Sequence, residues 1–150
     1  GATQTLTINQ QGSSNTSTVS VGSNSSSDDN SIIQTITGGS NTTTVNVGDS
    51  AASSDADIDL VVTGDSNTVT INENSTATMA SGDKKVTNIT AIGGSNTITS
   101  THTGAADQDT TLHHTGSSST FAITQGGAND GTVDVTTVGS GHNVTITMDD

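Results

Sequence analysis

Short runs in which apolar and polar residues alternate recur along the whole chain, joined in pairs by a Gly-Ser-Asn type of turn. The turns read QGSSN (residues 11–15), GGSN (38–41), GDSN (64–67), GGSN (93–96), GSSS (116–119) and GSGH (139–142). Their first glycines, Gly12, Gly38, Gly64, Gly93, Gly116 and Gly139, are spaced by 26, 26, 29, 23 and 23 residues. A period in this range is the signature of a repeat array in which each unit buries its apolar face on its neighbours. The fold class expected is therefore all-β, a two-sheet β-solenoid of about six strand-turn-strand coils. It forms a single domain over 1–150.

Counting back two, four and six residues from each turn glycine gives the inward set of the first strand. These sets are Leu6/Ile8/Gln10, Ile32/Gln34/Ile36, Ile58/Leu60/Val62, Thr87/Ile89/Ala91, Thr110/Leu112/His114 and Val133/Val135/Thr137. The residues between them are mostly Thr, Asp or Asn, the period of two that marks a half-buried strand. On the second strand the inward sets are Ser17/Val19/Val21, Thr43/Val45/Val47, Val69/Ile71, Ile98/Ser100, Phe121/Ile123 and Val144/Ile146/Met148. Thr dominates the outward places there, and β-branched residues suit a pleated surface. Stacked coils would enclose a thin, dry core of Ile, Val and Leu and add about 4.7–4.8 Å each, roughly 28 Å for six. The second turns vary in length: 22–30, 48–56, 72–83, 103–109 and 125–130. Such variation belongs on one exposed edge of a solenoid.

Composition narrows the function. Only 27% of residues are hydrophobic and Phe121 is the one aromatic, so a broad globular core is out of reach. Chains this rich in Thr, Ser, Asn and Gly often stay disordered; the regular spacing of Ile, Val and Leu argues for order. Proline, which removes a ladder donor, is absent, and so is cysteine, with its disulfides and thiolate metal sites. No apolar run approaches the ~20 residues that span a bilayer, so no membrane insertion is expected. The start at Gly1, without Met, suits a product whose export signal has been removed. Net charge is −13, with fourteen Asp, one Glu and two cations, Lys84 and Lys85. Nucleic acid needs Lys and Arg for affinity and is excluded as a partner.

The stretches IIQTITGGSNTTTVNV (32–47), LVVTGDSNTVTIN (60–72) and ITAIGGSNTITS (89–100) resemble the curlin repeat of bacterial curli subunits. The resemblance covers most of the chain. It departs in period and in the regular inward Gln, which only Gln10 and Gln34 match. It implies a β-solenoid fibre subunit, exported and extracellular, that assembles end to end, with a nucleator or export protein as partner.

Few residues carry candidate chemistry. The turn asparagines Asn15, Asn41, Asn67 and Asn96 suit a structural ladder, since Asn accepts left-handed backbone and its amide can bond the coils above and below. His113 and His114 adjoin and must point to opposite faces of a strand, so they cannot share one ion. Loop carboxylates are what Ca²⁺ prefers, which makes Asp28, Asp29, Asp49, Asp55, Asp57, Asp107 and Asp109 the calcium candidates. No EF-hand or RTX nonapeptide accompanies them, and a solvated acidic edge is the plainer account. Otherwise no cofactor is expected. No nucleophile elbow or phosphate loop occurs, so an enzyme is not expected.

Both terminal coils are as apolar as the middle ones, whereas a solenoid that stays monomeric should be capped by polar repeats. Leu6, Ile8, Val19 and Val21 at one end, and Val133, Val135, Val144, Ile146 and Met148 at the other, are then candidates for a polymer interface. The expected function is a structural subunit of a secreted, amyloid-like filament, for biofilm matrix or adhesion, growing as a head-to-tail homopolymer. The alternatives are an ice-binding solenoid built on its outward Thr-x-Thr pairs, and a monomeric adhesin or fibre segment.

Overall fold

The computed structural model describes residues 4–21, 30–47, 56–74, 84–104, 107–127 and 131–149. These residues form twelve strands and no helix. In chain order they are β1 (Gln4–Gln11), β2 (Thr16–Val21), β3 (Asn30–Thr37), β4 (Thr42–Val47), β5 (Ala56–Thr63) and β6 (Thr68–Asn74). There follow β7 (Lys84–Ile92), β8 (Thr97–Thr103), β9 (Asp107–Ser117), β10 (Thr120–Gly126), β11 (Gly131–Ser140) and β12 (Asn143–Asp149). The odd strands make one six-stranded sheet in the order β1-β3-β5-β7-β9-β11, and the even strands make a second in the order β2-β4-β6-β8-β10-β12. Every pairing is parallel, so each strand-turn-strand unit is one coil of a two-sheet β-solenoid.

Register follows the repeat. Leu6 pairs with Ile32, Ile32 with Ile58, Ile58 with Thr87, Thr87 with Thr110 and Thr110 with Val133. In the second sheet Val19 pairs with Val45, Val45 with Ile71, Ile71 with Ser100, Ser100 with Ile123 and Ile123 with Ile146. A slip of one residue would turn each of these columns to water, which is why the burial of Ile, Val and Leu fixes the register. Ile58, Leu60, Val62, Val69 and Ile71 are all buried, while Asp57 and Thr68 are exposed. Burying such an aliphatic side chain contributes about 1.5–3 kcal/mol.

Two expectations need correction. The core is not a dry aliphatic strip: Gln34, Thr43, Thr87, Ser100, Thr110 and His114 occupy inward places and are buried. Some of their polar atoms find a neighbour in the core, while Thr87 Oγ1, Gln34 Oε1 and His114 Nε2 make no hydrogen bond. Gln34 donates to the Thr43 hydroxyl at 3.5 Å, and the His114 ring meets the Ala91 carbonyl at 3.0 Å. The left-handed residue of the first turn is also not Asn. It is the serine before it: Ser14, Ser40, Ser66, Ser95 and Ser118 have φ between 55° and 60°. An L-residue there costs roughly 1–2 kcal/mol. The strain is offset because it aims each serine N–H at the next coil, as in Ser40 to the Asp65 carbonyl at 3.0 Å and Ser66 to Gly94 at 3.0 Å.

Candidate functional site

Three features of the stack concentrate chemistry: the turn column, a buried polar column at the opposite edge, and the two open ends. In the turn column the Asn15 N–H donates to Asn41 Oδ1, Asn41 N–H to Asn67 Oδ1, and Asn67 N–H to Asn96 Oδ1, each at 2.9 Å. Ser119 takes the fifth place and accepts the Asn96 N–H at 3.2 Å. The amides also reach back, Asn41 Nδ2 to the Gly12 carbonyl and Asn96 Nδ2 to Gly64, both at 3.0 Å. The asparagines therefore bond between coils as expected of a ladder, and Asn41, Asn67 and Asn96 are buried in doing so. His142 holds the sixth place. Both its ring nitrogens lack partners, and its ring meets that of His114 edge-on at 4.7 Å. Burial lowers the His114 pKa from its ordinary value; the Ala91 carbonyl opposes the drop and His142 adds to it.

At the other edge the second strands run further inward than their apolar residues suggest. Val47, Glu73, His102, Gln125 and Met148 stand in register there. Facing them at the start of the first strands come Asn30, Ala56, Lys85 and Gln108. Glu73, His102 and Lys85 are fully buried. Glu73 Oε2 bonds His102 Nδ1, and His102 Nε2 lies 2.7 Å from Ser100 Oγ and 3.2 Å from Thr110 Oγ1. The order Ser-His-Glu is that of a nucleophile triad, but Ser100 and Glu73 are sealed in the core with no exposed surface. Lys85 Nζ and Glu73 Oε1 make no hydrogen bond. Burial lowers the Lys85 pKa, with the Glu73 carboxylate pulling it back up.

Sequence counting assigned Glu73 to a second turn and stopped at Ile71, Ser100 and Ile123, so this column was missed. One more step of the same alternation, two residues on, reaches Glu73, His102 and Gln125. Only the placement of three calcium candidates changes. Asp57, Asp107 and Asp109 lie on strands β5 and β9, not in turns, while Asp28, Asp29, Asp49 and Asp55 lie outside the described residues. Partial burial, then Asp59 and Glu73, raise the Asp57 pKa. Among the described residues no three His, Cys, Asp or Glu side chains gather to hold a metal ion.

The open ends carry the exposed part of the core. In the last coil Val144, Ile146 and Met148 are 38%, 44% and 52% exposed, whereas their column-mates Phe121 and Ile123 are buried. In the first coil Leu6 is 37% exposed. Ile8, Val21, Val133 and Val135 are partly buried against the core, and Val19 is buried outright at 4%. Eight of the nine interface candidates thus present apolar surface at an end; Val19 is covered. The outer face of the even-strand sheet is different in kind. Thr16, Thr42, Thr68, Thr97 and Thr120 form one column and Thr18, Thr44, Thr70 and Thr99 a second, in register and free of large apolar residues.

No family model, curated protein or solved structure matches the chain. No helix among the described residues is long and apolar enough to cross a membrane.

Proposed function

We propose that this chain is a non-enzymatic structural subunit that polymerises end to end into an extracellular filament. The observation that carries the reading is the match between its two open ends. Following the columns through the stack sets Val133 over Leu6, Val135 over Ile8, Ile146 over Val19 and Met148 over Val21 when one copy's last coil continues into the next copy's first. Four of six inward positions are then apolar on apolar. The remaining two set Thr137 over Gln10 and Val144 over Ser17. The unpaired edges of β11 and β12 would meet those of β1 and β2 in the same parallel sense that holds every internal pair. Open strand edges template such pairing. The contact joins different faces and does not close, so it propagates as a fibre. Export, a surface location and a matrix or adhesive role go with this reading and with the curlin-repeat resemblance. Seeding tests it: sonicated filaments should abolish the lag of fresh monomer. Protein that stays monomeric at high concentration, seeded or not, would overturn it.

A second reading draws on the threonine face. Its columns repeat about every 4.8 Å between coils and ~6.5–7 Å along a strand. The uneven coil lengths do not break that lattice, because the unevenness is confined to the second turns; Ala122 breaks the second column. A flat hydroxyl and methyl lattice of this kind suits ice. Thermal hysteresis by the monomer, lost in Thr70→Tyr, would support it; freezing indistinguishable from that of a plain protein control would remove it.

A further inference from the structure

The turn column shows how two copies would lock, and on which residues. In each coil after the first, the turn glycine leaves no room for a side chain. A Cβ on Gly38 would collide with the Gly12 carbonyl, on Gly64 with that of Gly38, on Gly93 with Gly64, on Gly116 with Gly93 and on Gly139 with Gly116. Gly12 stands apart, for a Cβ there meets only its own turn's Asn15 Nδ2, at 3.4 Å. The space beyond it is the place a preceding carbonyl would fill.

The hydrogen bonds run out at the same point. Gly12 N–H gives to Thr37 O, Ser14 N–H to Gly39 O and Asn15 N–H to Asn41 Oδ1, and the pattern repeats up the stack. By that pattern the last turn offers the N–H groups of Gly139, Gly141 and His142 outward. The first turn offers as acceptors the carbonyls of Gln11 and Ser13 and Asn15 Oδ1. Asn15 also departs from two of its column-mates, the third, Asn67, leaving its Nδ2 without a partner. Where Asn41 and Asn96 give Nδ2 to the glycine carbonyl of a preceding coil, Asn15 Nδ2 turns back to the Gln11 carbonyl at 3.2 Å.

We infer that Gly12 and Asn15 form the acceptor half of a self-joining lock whose donor half is the Gly139–His142 turn of a second copy. In the joint the second copy's Gly139 carbonyl enters the space over Gly12 and takes Asn15 Nδ2 from Gln11, while Asn15 Oδ1 receives the His142 N–H. The lock rests on the end-to-end reading and adds to it a fixed register and a polarity. The two filament ends differ, one presenting the Gly12 turn and the other the Gly139–His142 turn.

The test uses the full chain with Gly12→Ala and Asn15→Ala, followed by circular dichroism and by elongation from wild-type seeds watched filament by filament. Gly12→Ala puts a methyl group where the carbonyl must enter and touches no other coil. It should keep the strand signal and fail to elongate. Its donor end is intact, so it should stop growth of wild-type filaments at their Gly12 end while the opposite end keeps growing. Asn15→Ala removes two hydrogen bonds at the joint and should raise the critical concentration about tenfold. Wild-type filaments alongside normal elongation by both variants would overturn the lock and leave end-to-end stacking standing. No wild-type elongation would overturn the stacking itself and the lock with it. Should Gly12→Ala lose its strand signal, Asn15→Ala decides: an unchanged critical concentration would overturn the lock.

Discussion

Replacing Leu60 by Asp places a carboxyl in the middle of the third coil, between Gln34 and Ile89 of the neighbouring coils. Leu60 is 1% exposed, and the core is one side-chain layer between two sheets, so the new group cannot reach water without opening a sheet. The Gln34 amide gives one N–H to Thr43, and Gln34 Oε1, which lacks a partner, can only accept. That oxygen repels a carboxylate and accepts from a protonated carboxyl, so the buried group is tolerated when neutral. Losing the leucine alone costs about 2–5 kcal/mol. Holding a carboxyl neutral at pH 7, some three units above its ordinary pKa, adds roughly 4 kcal/mol. The sum, about 6–9 kcal/mol, rivals the whole stability of a typical domain, ~5–15 kcal/mol. Leu60→Asp should thus lack a cooperative far-ultraviolet melt at pH 7. It should recover part of it near pH 3, where only the truncation remains. Thr68→Asp, on the exposed face, should melt close to wild type at both pH values. Loss of the melt in Thr68→Asp, with Leu60→Asp harmless, would refute the register.

The buried amine of Lys85 makes the stability of the fold depend on alkaline pH. Its pKa is lowered on folding, so native protein sheds the proton first and stability should rise as pH climbs toward the ordinary lysine value of 10.5. Lys85→Met, of similar volume, should melt higher than wild type at neutral pH, by about 1–4 kcal/mol of stability, with the gap narrowing near pH 10. A variant less stable than wild type at pH 7 would mean that Glu73 pairs with Lys85. Assembly should also accelerate with salt, because a net charge of −13 repels subunits and a Debye length of about 10 Å at 0.1 M screens it. Matched ionic strengths of Na⁺ and Ca²⁺ should act alike if the aspartates form a solvated edge; Ca²⁺ acting alone below millimolar would show specific turn sites.

The strands and their register were legible because Ile, Val and Leu fall at every second place beside an unmistakable turn. From Gly64, counting back reaches Val62, Leu60 and Ile58, and all three are buried. The asparagine ladder was legible too, since a column of amides in stacked turns has little else to bond. What escaped was the polar column at the edge of the core; Gln34, Thr43, Thr87, Ser100, Thr110 and His114 fall at the inward places counted from the turns and are buried. Glu73, His102, Gln125 and Lys85 are types that hydropathy assigns to water, so a count guided by apolar residues ends before them. They can be buried because the parallel register stacks them on one another, and that neighbourhood exists only after coils of different sequence are aligned. The serine rather than asparagine at positive φ was hidden for a related reason: the strain is repaid by a hydrogen bond to another coil, not within the turn.

Helical reconstruction of filaments grown from the purified chain tests the central claim most directly. The account predicts a subunit rise of six coils, roughly 28 Å, with solenoid axes along the fibre and an unbroken 4.8 Å ladder through each joint from β11 to β1 and from β12 to β2. A map in which subunits lie side by side, with the first and last coils left open to solvent, would contradict it.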